Sequence, residues 1–306
     1  MRTVLLVSLC ASLLCAAELK RPRITGLAHV AFYVEDLAKA RAFYRDLLGF
    51  SEPWSLNNPD GTVWLTFIKI NDRQYLELFP QAAPPADRLS HFAVETSDIE
   101  GMRAYLSSRG VQVPPAPGKG RTGTLNFTVK DPDGHSLEFV QYPAACWAMR
   151  DRGKFLSRER VSRRMTHAGI LVGALEPALK FYRDVLGFQE TWRGGHEGKP
   201  LSWVNLRVPD GEDYIEFMLY GELPEPARRG TAHHICLDTP DMDQTVAALE
   251  SRPARRGYPR PIEIRTGLNR RRQANLFDPD GTRVELMEPH TVDGKPAPSS
   301  TAPPPR

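Results

Sequence analysis

Leu27-Ala28-His29-Val30-Ala31-Phe32-Tyr33-Val34, with the stretch from Asp36 to Phe50 behind it, decides how this chain is read. Alternation puts His29, Ala31 and Tyr33 on one face of a strand and Val30, Phe32 and Val34 on the other. Asp36 then caps a helix whose apolar stripe is Leu37, Ala40, Phe43, Tyr44, Leu47 and Leu48, and Gly49 supplies a left-handed stop. Glu77 follows His29 by 48 residues, in the short strand Tyr75-Leu76-Glu77-Leu78-Phe79. The unit is a strand bearing one histidine, an amphipathic helix, and a meander of strands bearing one glutamate.

Outward from this stretch the unit returns three times. His91 with Glu138, His167 with Glu216 and His234 with Glu285 repeat the pair at separations of 47, 49 and 51 residues. Phe43-Tyr44-Arg45-Asp46-Leu47-Leu48-Gly49-Phe50 reappears as Phe181-Tyr182-Arg183-Asp184-Val185-Leu186-Gly187-Phe188. His91-Phe92-Ala93-Val94-Glu95-Thr96 aligns with His234-Ile235-Cys236-Leu237-Asp238-Thr239; this selects His234 over His233, which would face the other side of the strand. Turns such as Asp131-Pro132-Asp133-Gly134 and Asp278-Pro279-Asp280-Gly281 precede the glutamate strands. Imidazole and carboxylate at fixed places in a repeat point to metal ligation.

The four units pair into two domains, 23–142 and 165–289, separated by a charged linker, 143–164. At the N-terminus, Arg2, the apolar run Val4 to Cys15 and the exit Ala16-Ala17 read as a signal peptide, residues 1–17, so a secreted or periplasmic location is expected with no stable membrane insertion after cleavage. Cleavage leaves Cys146 and Cys236, so this is not a disulfide scaffold. A formal charge of +3 is too small to argue for nucleic acid; the arginines from Arg158 to Arg164 read as a solvated linker, and the run Arg270 to Arg272 as a solvated loop or a contact for an anionic substrate. Residues 290–306, rich in Pro, Ser and Ala, read as a disordered tail.

With these residues in view, the chain resembles the vicinal oxygen chelate superfamily, which includes glyoxalase I, extradiol dioxygenases and the fosfomycin- and bleomycin-resistance proteins. The resemblance rests on the His29 strand, the Phe-Tyr helix ending in Leu-Gly-Phe, and the Asp-Pro-Asp-Gly turn before a glutamate strand. It implies an α+β fold in which four βαβββ units form two cup-shaped mixed-sheet domains, with a divalent metal on the cup floor. The ligand positions it implies are His29, Glu77, His91 and Glu138 in the first domain and His167, Glu216, His234 and Glu285 in the second. Units of the family pair within a domain or across domains; in the second case His29 and Glu77 would join His234 and Glu285.

Two imidazoles and two carboxylates suit a divalent metal ion such as nickel, cobalt, zinc, manganese or iron. The expected partner is a small, oxygen-rich substrate, with Trp54, Trp64, Trp192 and Trp203 as candidate cup walls. By resemblance to glyoxalase I the activity is that of a lyase or isomerase, with Glu138 and Glu285 as the proton-transfer candidates. Export argues against a glutathione adduct as substrate. Extradiol ring cleavage is the alternative enzyme, with His167, His234 and Glu285 as its triad. The ring-cleaving members typically carry tyrosine where Thr128 and Asn275 stand here. A binding module of the bleomycin-resistance type is the non-catalytic alternative, and the filled ligand positions argue against it.

Overall fold

The computed structural model describes residues 19–229 and 232–305. The expected signal peptide lies outside the described residues. Among these, no helix is long and apolar enough to cross a membrane.

The first half contains β1 (Ile24–Val34), β2 (Ser51–Asn57), β3 (Val63–Lys69), β4 (Tyr75–Pro80), β5 (Leu89–Thr96), β6 (Gly118–Lys119), β7 (Leu125–Lys130) and β8 (Ser136–Gln141). They form one curled sheet in the order β2-β3-β4-β1-β5-β8-β7-β6. The second half repeats it with β9 (Met165–Val172), β10 (Gln189–Gly194), β11 (Trp203–Arg207), β12 (Tyr214–Leu219), β13 (His234–Asp238), β14 (Ile264–Thr266), β15 (Arg271–Phe277) and β16 (Arg283–Thr291), in the order β10-β11-β12-β9-β13-β16-β15-β14. The fold is α+β, two eight-stranded mixed sheets, and the units pair within each half.

This order brings the four ligand-bearing strands together as the centre of each sheet, β4-β1-β5-β8 and β12-β9-β13-β16. Their side chains alternate between the concave face and the core. Val30, Phe32, Leu76, Leu78, Phe92 and Val94 turn to the convex side and are buried. There they meet the helices α1 (Leu37–Arg41), extended by a π-helical turn over Ala42–Leu47, and α2 (Ile99–Ser108). Asp36 caps α1 through the N–H groups of Ala38 and Lys39, and Gly49 takes the left-handed φ of 78° at its end. The second half repeats the helix in Leu175–Leu179 with the π turn Lys180–Val185 and ends it with Gly187 at φ 78°, but its N-cap is Ala174, which has no side-chain cap.

The two most repeated motifs meet across the domain interface. The Tyr44 hydroxyl donates to Asp278 at 3.0 Å, and Tyr182 donates to Asp131 at 2.9 Å. Each acceptor is the first aspartate of the Asp-Pro-Asp-Gly turn in the opposite domain. Asp280 likewise accepts the backbone N–H of Glu35, and Asp133 that of Gly173. The turn is therefore also an interdomain clamp, repeated under a pseudo-twofold relation.

The linker carries one helical turn, α3 (Trp147–Arg150), pinned in place because fully buried Lys69 donates to the carbonyls of Asp151 and Lys154. The stretch expected to be a disordered tail lies against the second sheet. Thr291 ends β16, and the chain then runs along the exposed edge strand β10: Ser300 N–H donates to Arg193, Leu201 N–H to Pro303, and Trp192 Nε1 to Pro298. Proline has no N–H to give, but its carbonyl accepts, so a proline-rich segment can satisfy a sheet edge. Cys146 and Cys236 are both free and buried.

Candidate metal centre

Register places the ligands against small residues. Ala31 pairs with Glu77 on one side and His91 on the other, while Ala93 pairs with His29 and Glu138. Four long side chains thus lean over two alanines and converge on the concave face. The Nε2 atoms of His29 and His91 lie 3.0 Å apart. Glu138 Oε2 is 3.3 Å from His29 Nε2 and 3.1 Å from His91 Nε2; Glu77 is 3.8 and 3.5 Å from the same nitrogens. The rings stand edge to face, 86° between planes, and Ser90 Oγ lies 3.1 Å from His91 Nδ1.

Two imidazole nitrogens facing each other among carboxylates are consistent with a divalent cation between them. Ligand atoms about 2.1 Å from one ion are separated from one another by roughly 3.0–3.4 Å, the spacing that His29, His91 and Glu138 already have, with Glu77 slightly farther out. The donor set fits a borderline divalent ion. Burial favours neutral His91, but Glu138 and Glu77 outweigh it and push the imidazole up to about 10. Burial would likewise raise Glu138, yet His29 and His91 hold it down at about 2. The cluster is built to hold positive charge.

A cavity of about 370 Å³ opens onto this quartet and is lined by all four ligands. Trp54, Trp64, Phe67 and Phe79 wall it, Trp147 of α3 roofs it, and Lys119, Arg121 and Asn126 stand at its polar side. Trp54 is fixed by an Nε1 hydrogen bond to Asp151 at 2.9 Å, and the α3 turn by Trp147 N–H to Thr122. The sequence reading found Trp54 and Trp64 but not Trp147, which sits in a segment read as a linker.

The second domain assembles its quartet too, also within one sheet. His167 and His234 Nε2 lie 3.1 Å apart; Glu285 is 3.3 Å from His167 and Glu216 is 3.4 Å from His234. His167, His234 and Glu285 have ligand atoms within 4.8 Å of one another, as do His29, Glu77 and His91. Here, however, Gly169 and Cys236 take the places of the two alanines. Arg283, two residues before Glu285, reaches the ring of His234. Burial, then Arg283 and His167, push His234 well below the usual histidine range. A cavity of about 490 Å³ lies on this sheet, lined by Trp192, Tyr214, Arg207 and Arg271, but none of the four ligand-type residues borders it. Trp203 packs against His196 instead.

Comparison with known proteins agrees with this architecture. The profile of the Glyoxalase/Bleomycin resistance protein/Dioxygenase superfamily matches residues 26–139 and 164–286. The uncharacterized protein YaeR of Escherichia coli is 29% identical over 120 residues, 37% of this chain and 93% of that protein. A lactoylglutathione lyase of Arabidopsis thaliana is 26% identical over 170 residues, 53% of this chain and 54% of its own. Among solved structures, a homoprotocatechuate 2,3-dioxygenase of Brevibacterium fuscum superposes with a TM-score of 0.68 at 18% identity, covering 92% of this chain and 76% of that one. The Mn(II)-bound glyoxalase of Novosphingobium aromaticivorans gives 0.66 at 20% identity, covering 93% and 89%.

Proposed function

Because this chain belongs to the Glyoxalase/Bleomycin resistance protein/Dioxygenase superfamily, we propose that its first domain is a metal-dependent lyase or isomerase of the glyoxalase type. The observation that carries the reading is the open quartet His29, Glu77, His91 and Glu138 at the floor of an aromatic cavity. When bound, the divalent ion supplies Lewis-acid stabilisation of the negative charge that develops on substrate oxygens during proton abstraction.

The chain's own residues do the rest. Glu138, ionised and held beside both imidazoles, takes a proton from the carbon next to a carbonyl and returns it to the neighbouring position. Glu77 completes the ligand set from the opposite strand of the sheet centre. Trp54, Trp64 and Trp147 keep bulk water from the exchanging proton, while Lys119 and Arg121 favour a substrate with negative charge away from the reacting carbon. The cavity matches a small α-hydroxycarbonyl compound. Its walls do not supply an evident set of groups for a glutathione moiety, and export would separate the enzyme from that pool.

Support for glyoxalase chemistry over ring cleavage comes from the sequence relatives and from Thr128 and Asn275, where the ring-cleaving pattern has tyrosine. The test is hydrogen exchange. Manganese- or nickel-loaded protein should incorporate deuterium from D₂O at the α-carbon of small hydroxyketones, followed by NMR. Glu138→Gln should lower that rate by about 10²- to 10⁴-fold. Exchange undiminished in Glu138→Gln refutes the assignment, and oxygen consumption with a catechol would replace it by ring cleavage.

A further inference from the structure

The second quartet has the donors of a metal centre with a guanidinium already set against one of them. Arg283 and Glu285 lie two residues apart on β16 and so share the concave face. Arg283 Nη2 lies 2.5 Å from His234 Nδ1 and 2.9 Å from Nε2, the nitrogen that faces His167 across the quartet. The same Nη2 lies 3.6 Å from Met218 Sδ, on the adjoining β12. The guanidinium is therefore lodged between the ligand ring and the neighbouring strand. It is a cation that keeps its proton under all ordinary conditions.

The backbone is adapted to this arrangement. Gly169 pairs with both Glu216 and His234, and a Cβ added there would overlap the His234 imidazole. The first domain has Ala31 at that position and Ser136 where Arg283 stands, so neither the collapsed ring position nor the guanidinium is present. Exposure follows: the His91 side chain is 16% exposed, and that of His234 is 0%. Tyr214 packs over His167, ring centroids 4.6 Å apart, and separates the quartet from the cavity beyond.

We infer that the second quartet is a metal-free centre in which the Arg283 guanidinium, set against the His234 ring, keeps a divalent ion off that ligand. The histidines and glutamates of this domain then serve the packing and charge balance of the sheet centre, and of the two quartets among the described residues only that of the first cup takes a metal ion. This differs from a site that has lost its ligands: all four are retained, and a residue outside the ligand set closes it.

The test counts metal. The full-length mature chain, without a metal-binding tag, is incubated with excess Mn(II), desalted, and assayed by elemental analysis. About one ion per chain is expected for the wild type, and about two for Arg283→Ser, which reproduces the first-domain residue. About two ions in the wild type, or one in a folded Arg283→Ser protein, overturns the proposal. Should Arg283→Ser fail to fold, His234→Ala decides: an unchanged count supports the proposal and loss of the ion refutes it. A wild type holding no ion would sink the first-cup reading alone; Arg283→Ser would then support the present inference by gaining one ion, and overturn it by gaining none.

Discussion

Asp278→Asn isolates the cost of the interdomain clamp. Burial, opposed mainly by the Thr282 N–H bond and aggravated by Asp280, pushes the Asp278 carboxyl from 3.8 up to about 7. For an acid whose folded pKa lies above its unfolded one, the folded state binds the extra proton. Stability is then greatest below about pH 4, declines as pH rises towards 7, and levels off above it. At 1.36 kcal/mol per unit, the wild type loses about 2 kcal/mol through this group between pH 5 and pH 7, an upper figure because relaxation and water penetration reduce it. Asparagine is uncharged at both pH values, and its carbonyl still accepts from Thr282 N–H, now at 2.7 Å. Its amide can donate to the Tyr44 oxygen, reversing the present bond. The stability of Asp278→Asn relative to wild type should therefore rise by roughly 2–3 kcal/mol from pH 5 to pH 8. Urea unfolding of both proteins at the two pH values measures this difference, and the other titrating groups cancel between them. A difference that stays constant with pH, or falls, would refute the reasoning.

Gly169→Ala should destabilise the second domain by several kcal/mol, about 2–4, because the new methyl overlaps His234 in a packed centre, whereas Ala31→Gly should cost only about 1 kcal/mol; thermal melts of the two variants compare them. Trp147→Ala removes the roof of the first cavity and should raise KM more than it lowers kcat, seen in steady-state kinetics on whichever hydroxyketone exchanges fastest. If residues 1–17 are removed on export, N-terminal sequencing of the mature protein from the producing cell will begin at Glu18.

Much of this architecture was legible because it is local and repeated. Alternation within Leu27 to Val34 fixes the face of His29, and four copies of the pattern nominate all eight ligand-type residues without any long-range knowledge. What the pattern could not fix was pairing, since pairing within or across domains leaves every strand's sequence unchanged; hydrogen bonding of β1 to β5, and β9 to β13, settles it. The clamp was hidden for the same reason. Tyr44 and Asp278 are 234 residues apart, and each has a sufficient local reading, as core aromatic and turn former. Their joint recurrence as Tyr182 and Asp131 was the available signal. Arg283 was within reach of the alternation argument that placed Glu285, and comparing it with Ser136 exposes the asymmetry between the cups. The roof and the C-terminal strap depend on buried Lys69 and on the free edge of β10, which composition does not report.

Anomalous diffraction at the absorption edge of the loaded metal, from crystals of the manganese- or nickel-treated protein, tests the central claim most directly. A single strong peak among His29, Glu77, His91 and Glu138, with none among His167, Glu216, His234 and Glu285, is the predicted result. A peak in the second quartet, or no peak in the first, would contradict the account.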